Sequence, residues 1–329
     1  METSLSPRRV LNAAYRLALL VFPSHSCKCS RQDFTLPQLC ACLVLRQFYG
    51  LSFRKTEQLL SDSPQWLADI GLAEAPDHNT LWRAFNGLLK TRRINRMIDQ
   101  TSNRFARAKL LQLWRKPLTL DSTCFERHHR SLHYDRRCRQ IAAKRAGQSK
   151  NAEKPGTWGA SVNAARRRTV ATMPKLSMAV ASSCHLILAV KAQIGNGSDA
   201  PDFGDLLRRS SKRASIRAVV ADGGYDSEAN HRTAREELKV RSIIPPGIGR
   251  PTSNLPRGRW RRHMARRFAR KADRKLYGQR SQSETVNSML KRNQGSALRS
   301  RTPERQRKEM LLRALTHNIA LLCRQEEQG

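Results

Sequence analysis

The chain has no run of eighteen apolar residues anywhere in its 329, so no segment suits a membrane-spanning helix. Arg8-Arg9 followed by Leu11 to Phe22 imitates a secretory leader, but Arg16 interrupts the apolar run and no small-residue cleavage site follows. An amphipathic helix is expected there instead. Acidic residues are scarce, 26 against 62 Lys plus Arg, which leaves a formal charge of +36. A field of that size repels itself unless a polyanion compensates it, so nucleic acid is the expected partner. The bland alternative is a merely basic, soluble surface. The eight cysteines lack the spacing of a zinc knuckle. Cys27 and Cys29 lie beside His25, but Cys40 and Cys42 fall inside a segment that reads as a buried helix, where an i, i+2 pair points to different sides. Cys124, Cys138, Cys184 and Cys323 read as small apolar fillers of a reduced cytosolic protein.

A chain of this length suits two domains. Residues 1–112 are helix-patterned, with helices expected over Leu36 to Tyr49 and Lys55 to Leu60. A third carries Leu81, Trp82, Phe85 and Leu88, with Asn79 or Thr80 as its N-cap after Pro76. Two short helices joined by a Gly-bearing connection, with Arg83 on the second, suit a helix-turn-helix-like DNA reader; an ordinary helical lobe is the alternative. From residue 113 to 329 the pattern becomes α/β. Strands are expected at Leu118 to Ser122, Lys175 to Ala181, Cys184 to Ala192, Ile216 to Ala221 and Val240 to Ile244. Helices fall around Asp202 to Arg209 and Ser227 to Lys239, and a closing helix follows. Three strands, helix, strand, helix, strand and closing helix is the order of the ribonuclease H-like (retroviral-integrase-type) mixed-sheet fold, here behind an N-terminal helical region.

Within this pattern one stretch concentrates chemistry. Tyr277, Arg280, Glu284 and Lys291 are separated by steps of three, four and seven, which on a helix at about 100° per residue returns all four to one face. Two further acids follow expected strands: Asp121 after Leu118-Thr-Leu, and Asp222 after Ala218-Val-Val-Ala. In a sheet of this order the two strands end side by side and a late helix packs across them. Two strand-borne aspartates and one helix-borne glutamate are the parts of a two-metal phosphoryl-transfer site.

On these residues the chain resembles a bacterial insertion-sequence transposase of the DDE type, in the group with a Tyr-x2-Arg-x3-Glu-x6-Lys signature. Leu120-Asp121-Ser-Thr123 is similar to the first acidic motif and Asp222-Gly-Gly-Tyr225-Asp226 to the second. Smaller echoes are Asp77-His-Asn-Thr80-Leu81 and Asn318-Ile319. The resemblance runs from about residue 40 to 322. Residues 245 to 276 leave no room for the long β-rich insertion that some relatives carry there.

The resemblance implies a cytoplasmic, nucleoid-associated enzyme. It would bind terminal inverted repeats in double-stranded DNA, cut at them and join the freed 3′-hydroxyls to target DNA, as a homodimer pairing two ends. Asp121, Asp222 and Glu284 are expected to hold two Mg²⁺ or Mn²⁺ ions, hard cations suited to carboxylate oxygens. Asp226 and Glu228 are the nearest competitors for the place of Asp222. Tyr277, Arg280 and Lys291 are expected to contact phosphates beside the scissile bond; an intrahelical salt bridge to Glu284 is the alternative for Arg280. Arg166, Arg167 and Arg168, with Trp260, Arg261 and Arg262, are expected to grip the DNA backbone. Trp260 either stacks on a base or serves as an amphipathic anchor. His128, His129 and His133 sit in an Arg-rich stretch and suit phosphate contact rather than metal. Two other functions fit the same residues: a metal-dependent nuclease that never joins strands, and a DNA-binding regulator that no longer cuts.

Overall fold

The computed structural model describes residues 5–27, 32–127, 173–195, 197–246, 255–268 and 270–328. Its first helices are set by local chemistry. α1 (Pro7–Leu19) is the amphipathic helix expected near the N-terminus and buries Val10, Leu11, Ala14 and Leu17. α2 (Leu36–Tyr49) starts from a capping box in which Thr35 and Gln38 exchange hydrogen bonds between side chain and backbone, and it stops at Gly50 with φ +62°. α3 (Phe53–Ser61) and α4 (Pro64–Asp69) follow. α5 (His78–Leu88) is the helix expected around Leu81 and Phe85, but its cap is neither Asn79 nor Thr80. Asp77 accepts from both of their backbone N–H groups, at 2.7 and 3.2 Å, because a carboxylate two residues before Asn79 reaches two orphan donors at once. α6 (Thr91–Arg107) buries Ile94, Met97, Ile98, Thr101 and Phe105, the spacing of one helical face.

The α/β part is built on a five-stranded sheet of β1 (Leu118–Cys124), β3 (Pro174–Ala181), β4 (Leu186–Ile194), β5 (Ala218–Ala221) and β6 (Arg241–Ile243), in the order β4-β3-β1-β5-β6. β3 runs antiparallel to both of its neighbours, whereas β1, β5 and β6 are parallel. A small parallel pair, β2 (Glu126–Arg127) with β7 (Ala297–Leu298), lies beyond the end of β1. The strand pair expected around Ser183 is present, turning at Ser182–His185 with His185 at φ +61°. α7 (Phe203–Ser211) crosses from β4 to β5, and α8 (Glu228–Arg232) runs on into a π-helical turn, Thr233–Glu237, before β6. The sequence reads that segment as one uninterrupted helix.

The stretch after β6 contains two short helices, α9 (Arg259–Arg267) and α10 (Lys271–Gly278). Then come α11 (Ser281–Gln294) and the long α12 (Pro303–Gln328). The signature stretch is therefore not one helix, as its spacing suggests. Gln279 and Arg280 form a tight turn between α10 and α11, with i→i+3 bonds from Gln279 N–H to Leu276 and from Arg280 N–H to Tyr277. The physical reason is two anchorages: Leu276 and Tyr277 pack on a small cluster with Val220, Ile243, Met264 and Phe268, while Val286 and Leu290 are buried in the main core.

That main core is continuous from the N-terminal helices to the sheet. It joins Leu11 and Leu17 of α1, Leu43 of α2 and Met97 of α6 to Leu188 of β4 and Leu315 of α12. Asn318 pins α12 to the edge strand by bonding both backbone groups of Ile187, at 3.0 and 2.8 Å. This gives the Asn318 echo a structural task. Cys40 and Cys42 are buried in α2, and burial pushes both thiols up to about 12, as apolar fillers rather than zinc ligands. No described helix is long and apolar enough to cross a membrane.

Candidate active site

The parallel register of β1 and β5 pairs Leu118 with Val219, Thr119 with Val220 and Leu120 with Ala221. One rung further, Asp121, still within β1 and paired with Met178 of β3, lies level with Asp222, the residue that follows the end of β5, on adjacent strands spaced about 4.8 Å apart. Asp121 is half-buried; its Oδ1 accepts from Ser122 N–H at 2.9 Å and its Oδ2 from the Asn287 amide at 3.0 Å. Asp222 is exposed and begins a short 3-10 turn, Gly223–Tyr225, accepting from Gly223 N–H at 2.7 Å. α11 lies against β1 and brings Asn287 to Asp121, so Glu284, one turn earlier on the same helix, sits at the rim of the acidic pair.

Burial dominates the electrostatics of Asp121 and pushes its carboxyl up to about 6. The Ser122 N–H and the Arg280 guanidinium oppose the shift, and the charges of Glu284 and Asp222 add to it. Asp121 therefore feels both of the other acids. Tyr277 is raised chiefly by burial, with Arg280 opposing and Asp222 adding. Arg280 lies 6.0 Å from the centroid of the Tyr277 ring and bonds Glu284 Oε1 at 2.7 Å. The intrahelical ion pair that the spacing allows is thus formed. Lys291, two turns along α11 from Glu284, lies 6.0 Å from the centroid of the Phe125 ring at the end of β1.

The remaining sequence candidates are placed apart from this cluster. Trp260 and Arg261 stand in the first turn of α9 and are occupied by acids. Both of their backbone N–H groups bond Glu228, the Trp260 indole donates to Glu236, and Arg261 bonds Asp226 at 2.8 and 3.0 Å. Arg235 and Arg259 stack on the Trp260 ring, which makes it an anchor for the helix rather than a free platform for a base. The same contacts occupy Asp226 and Glu228, the competitors for Asp222. Asp226 is buried beside His231, and Glu228 caps α9. Arg262 is exposed and donates to the Pro256 carbonyl. Arg83 is exposed on α5 next to Trp82, over which Arg305 stacks. Arg166, Arg167, Arg168, His128, His129 and His133 lie outside the described residues.

The family model described as Transposase DDE domain matches residues 115–319. The chain belongs to the insertion-sequence DDE transposase family. A second model, described as Transposase domain (DUF772), matches residues 6–87, the region of α1 to α5. No curated protein matches the chain. A DDE domain makes this a transposase- or nuclease-type enzyme, and the family generally uses divalent metal ions.

The residues around Asp121 fit such ions in donor chemistry. The three acids offer only hard oxygen, and the Asn287 Oδ1 beside Asp121 is a buried acceptor with no partner. Among the described residues no three acidic, histidine or cysteine side chains converge on one point, and Glu284 is paired with Arg280. Asn287 is the site residue that the sequence reading passed over. Its signal was its place three residues after Glu284 and four before Lys291, on the same helical stripe.

Proposed function

We propose that this protein is a metal-dependent DNA transposase. It binds the terminal inverted repeats of its insertion sequence, cleaves the ends and joins them to target DNA. The observation that carries the reading is the levelling of Asp121, within β1, with Asp222, just past the end of the parallel strand β5, with Arg280, Glu284 and Tyr277 close to them. The sheet order and the single antiparallel strand β3 within it support a ribonuclease H-like, retroviral-integrase-type catalytic domain over 113–329. Residues 1–112, the greater part of which the second family model covers, are then the DNA-recognising part, with Arg83 on its exposed face.

In this reading Asp121, Asp222 and Glu284 would hold two Mg²⁺ or Mn²⁺ ions, which would supply Lewis-acid chemistry to phosphoryl transfer. The protein's own residues do the rest. Arg280 exchanges its carboxylate partner for a DNA phosphate, whose two non-bridging oxygens suit the guanidinium fork. That exchange frees Glu284 to turn toward the two aspartates. Tyr277 and Lys291 hold the strand on either side as a phenol donor and a point charge. Arg262 and the exposed cations of α9 and α10 follow the backbone of the same duplex. Two protomers pair the two ends.

The test is an end-cleavage assay with the full chain, using labelled terminal-repeat DNA in Mg²⁺ and a plasmid as target. Cleavage with joining supports the proposal. Cleavage without joining marks a nuclease, and binding with neither marks a regulator. Inverted repeats bounded by short direct duplications around the gene would identify the DNA to use.

A further inference from the structure

Asn287 is the α11 side chain that reaches Asp121, and both ends of its amide carry information. Its Nδ2 donates to Asp121 Oδ2 at 3.0 Å, while its Oδ1 is buried with no hydrogen-bond partner. A buried amide oxygen left unpaired costs free energy unless a donor arrives, so such an atom next to a carboxylate marks the place of a missing donor. The remaining oxygen of Asp121 is tied to Ser122 N–H, so the carboxylate is held at both ends by groups from different elements. The helix around Asn287 is fixed by its neighbours: Val286 and Leu290 are fully buried in the main core.

We propose that Asn287 is a positioning residue for the metal site. Its amide N–H fixes the rotamer of Asp121, and its carbonyl accepts from a water that enters with a hydrated divalent cation. Mg²⁺ dehydrates reluctantly and keeps waters that need acceptors, which suits an amide oxygen one residue's breadth from the coordinating carboxylate. The inference rests on the reading of Asp121 as a metal-binding acid. It adds a fourth, uncharged member that orients the carboxylate and is not counted among the acids.

The experiment uses the full chain with three variants: Asn287→Leu, Asn287→His and Asp121→Asn. Leu fills a similar volume without donor or acceptor, whereas His keeps an N–H near the place of the amide nitrogen. Mn²⁺ affinity is measured by electron paramagnetic resonance without DNA, beside thermal melting and single-turnover cleavage across Mn²⁺ concentration. Asn287→Leu should lose about tenfold in Mn²⁺ affinity, as outer partners of metal ligands typically do, and excess Mn²⁺ should restore much of its cleavage. Melting should stay close to the parent, and the His variant should keep most of the affinity. The proposal is overturned if Asn287→Leu binds Mn²⁺ like the parent, or if excess Mn²⁺ restores nothing. The outcome for Asp121→Asn separates the two levels: unchanged Mn²⁺ binding there removes the acid site itself, whereas loss there with a normal Asn287→Leu removes only the positioning role.

Discussion

Asp121 is held in a place that does not suit its charge, and removing the charge should stabilise the protein while destroying its activity. Burial moves its carboxyl from 3.8 in the unfolded chain to about 6 in the fold. At 1.36 kcal/mol per unit that difference is about 3 kcal/mol. The sign follows from which state releases its proton first. Below pH 4 both states are protonated and nothing is lost. Between pH 4 and 6 the unfolded chain ionises ahead of the fold, so stability falls, and above pH 6 the full penalty stands. Asp121→Asn removes this pH dependence. It also sets one amide N–H₂ against a donor, either Ser122 N–H or the Asn287 amide, at a cost of about 1 kcal/mol. The net expectation is a gain of about 2 kcal/mol above pH 7, roughly 3–5 °C in melting temperature, and a loss of about 1 kcal/mol near pH 4. Excess Mg²⁺ should raise the melting temperature of the parent and leave the variant unmoved, since only the parent keeps the carboxylate. The assay is thermal melting of both proteins at pH 4 and 7.5, in chelator and in Mg²⁺. A variant that melts at or below the parent at pH 7.5 in chelator refutes the reasoning.

Asp222→Asn and Glu284→Gln should each abolish end cleavage and strand transfer while binding in chelator holds or rises slightly, measured by gel shift beside the cleavage assay; normal cutting by Glu284→Gln would return the charged stripe to a solvated helix face. Arg280→Ala should leave melting nearly unchanged, because its partner Glu284 is 54% exposed and such pairs contribute well under about 1 kcal/mol, yet slow cleavage by ~1–3 kcal/mol, a tenfold to hundredfold loss in single-turnover rate. Lys175 is fully buried and donates to the Gly197 carbonyl and to Asp199 at 2.8 and 2.9 Å, so Lys175→Met should destabilise by roughly 3–5 kcal/mol in urea unfolding. Replacing Arg262, Arg266 and Arg270 by Gln should flatten the dependence of log affinity on log salt by ~0.9 for each phosphate that is no longer neutralised; an unchanged slope places α9 and α10 outside the DNA path.

The sheet could be read in advance because its strands announce themselves singly. Ala218-Val-Val-Ala is a short apolar run between polar segments, and the antiparallel pair around Ser183 is joined by only four residues, Ser182 to His185. The order of elements then restricts the pairing. What local pattern does not carry is a partner far away in sequence. Trp260 and Arg261 look like free DNA-binding groups until Glu228, Glu236 and Asp226, more than twenty residues earlier, are brought beneath them. The break between α10 and α11 is hidden for the same reason. Helical spacing carries through Tyr277 and Arg280, but the two sides of the turn answer to different apolar clusters, one under Val220 and Ile243 and one in the main core.

The site shows where such reading stops. A spacing of four between Arg280 and Glu284 serves an ion pair and a shared phosphate site equally well, because both need the two side chains on one face. The structure has the ion pair, with Arg280 also within electrostatic reach of Asp121 and Asp222. The two uses are therefore alternatives in occupancy rather than in design. An arginine that neutralises an exposed glutamate through a weak, solvent-screened bond gives it up readily to a DNA phosphate, one of a dense row of anionic groups, each with a bidentate edge. A buried pair in the same place would resist the exchange, since separating it would strand a desolvated charge. The exposure of Glu284 at the rim, beside a half-buried Asp121 whose charged form burial penalises, is thus the arrangement expected of a site that gathers its charges only when DNA and cation arrive together.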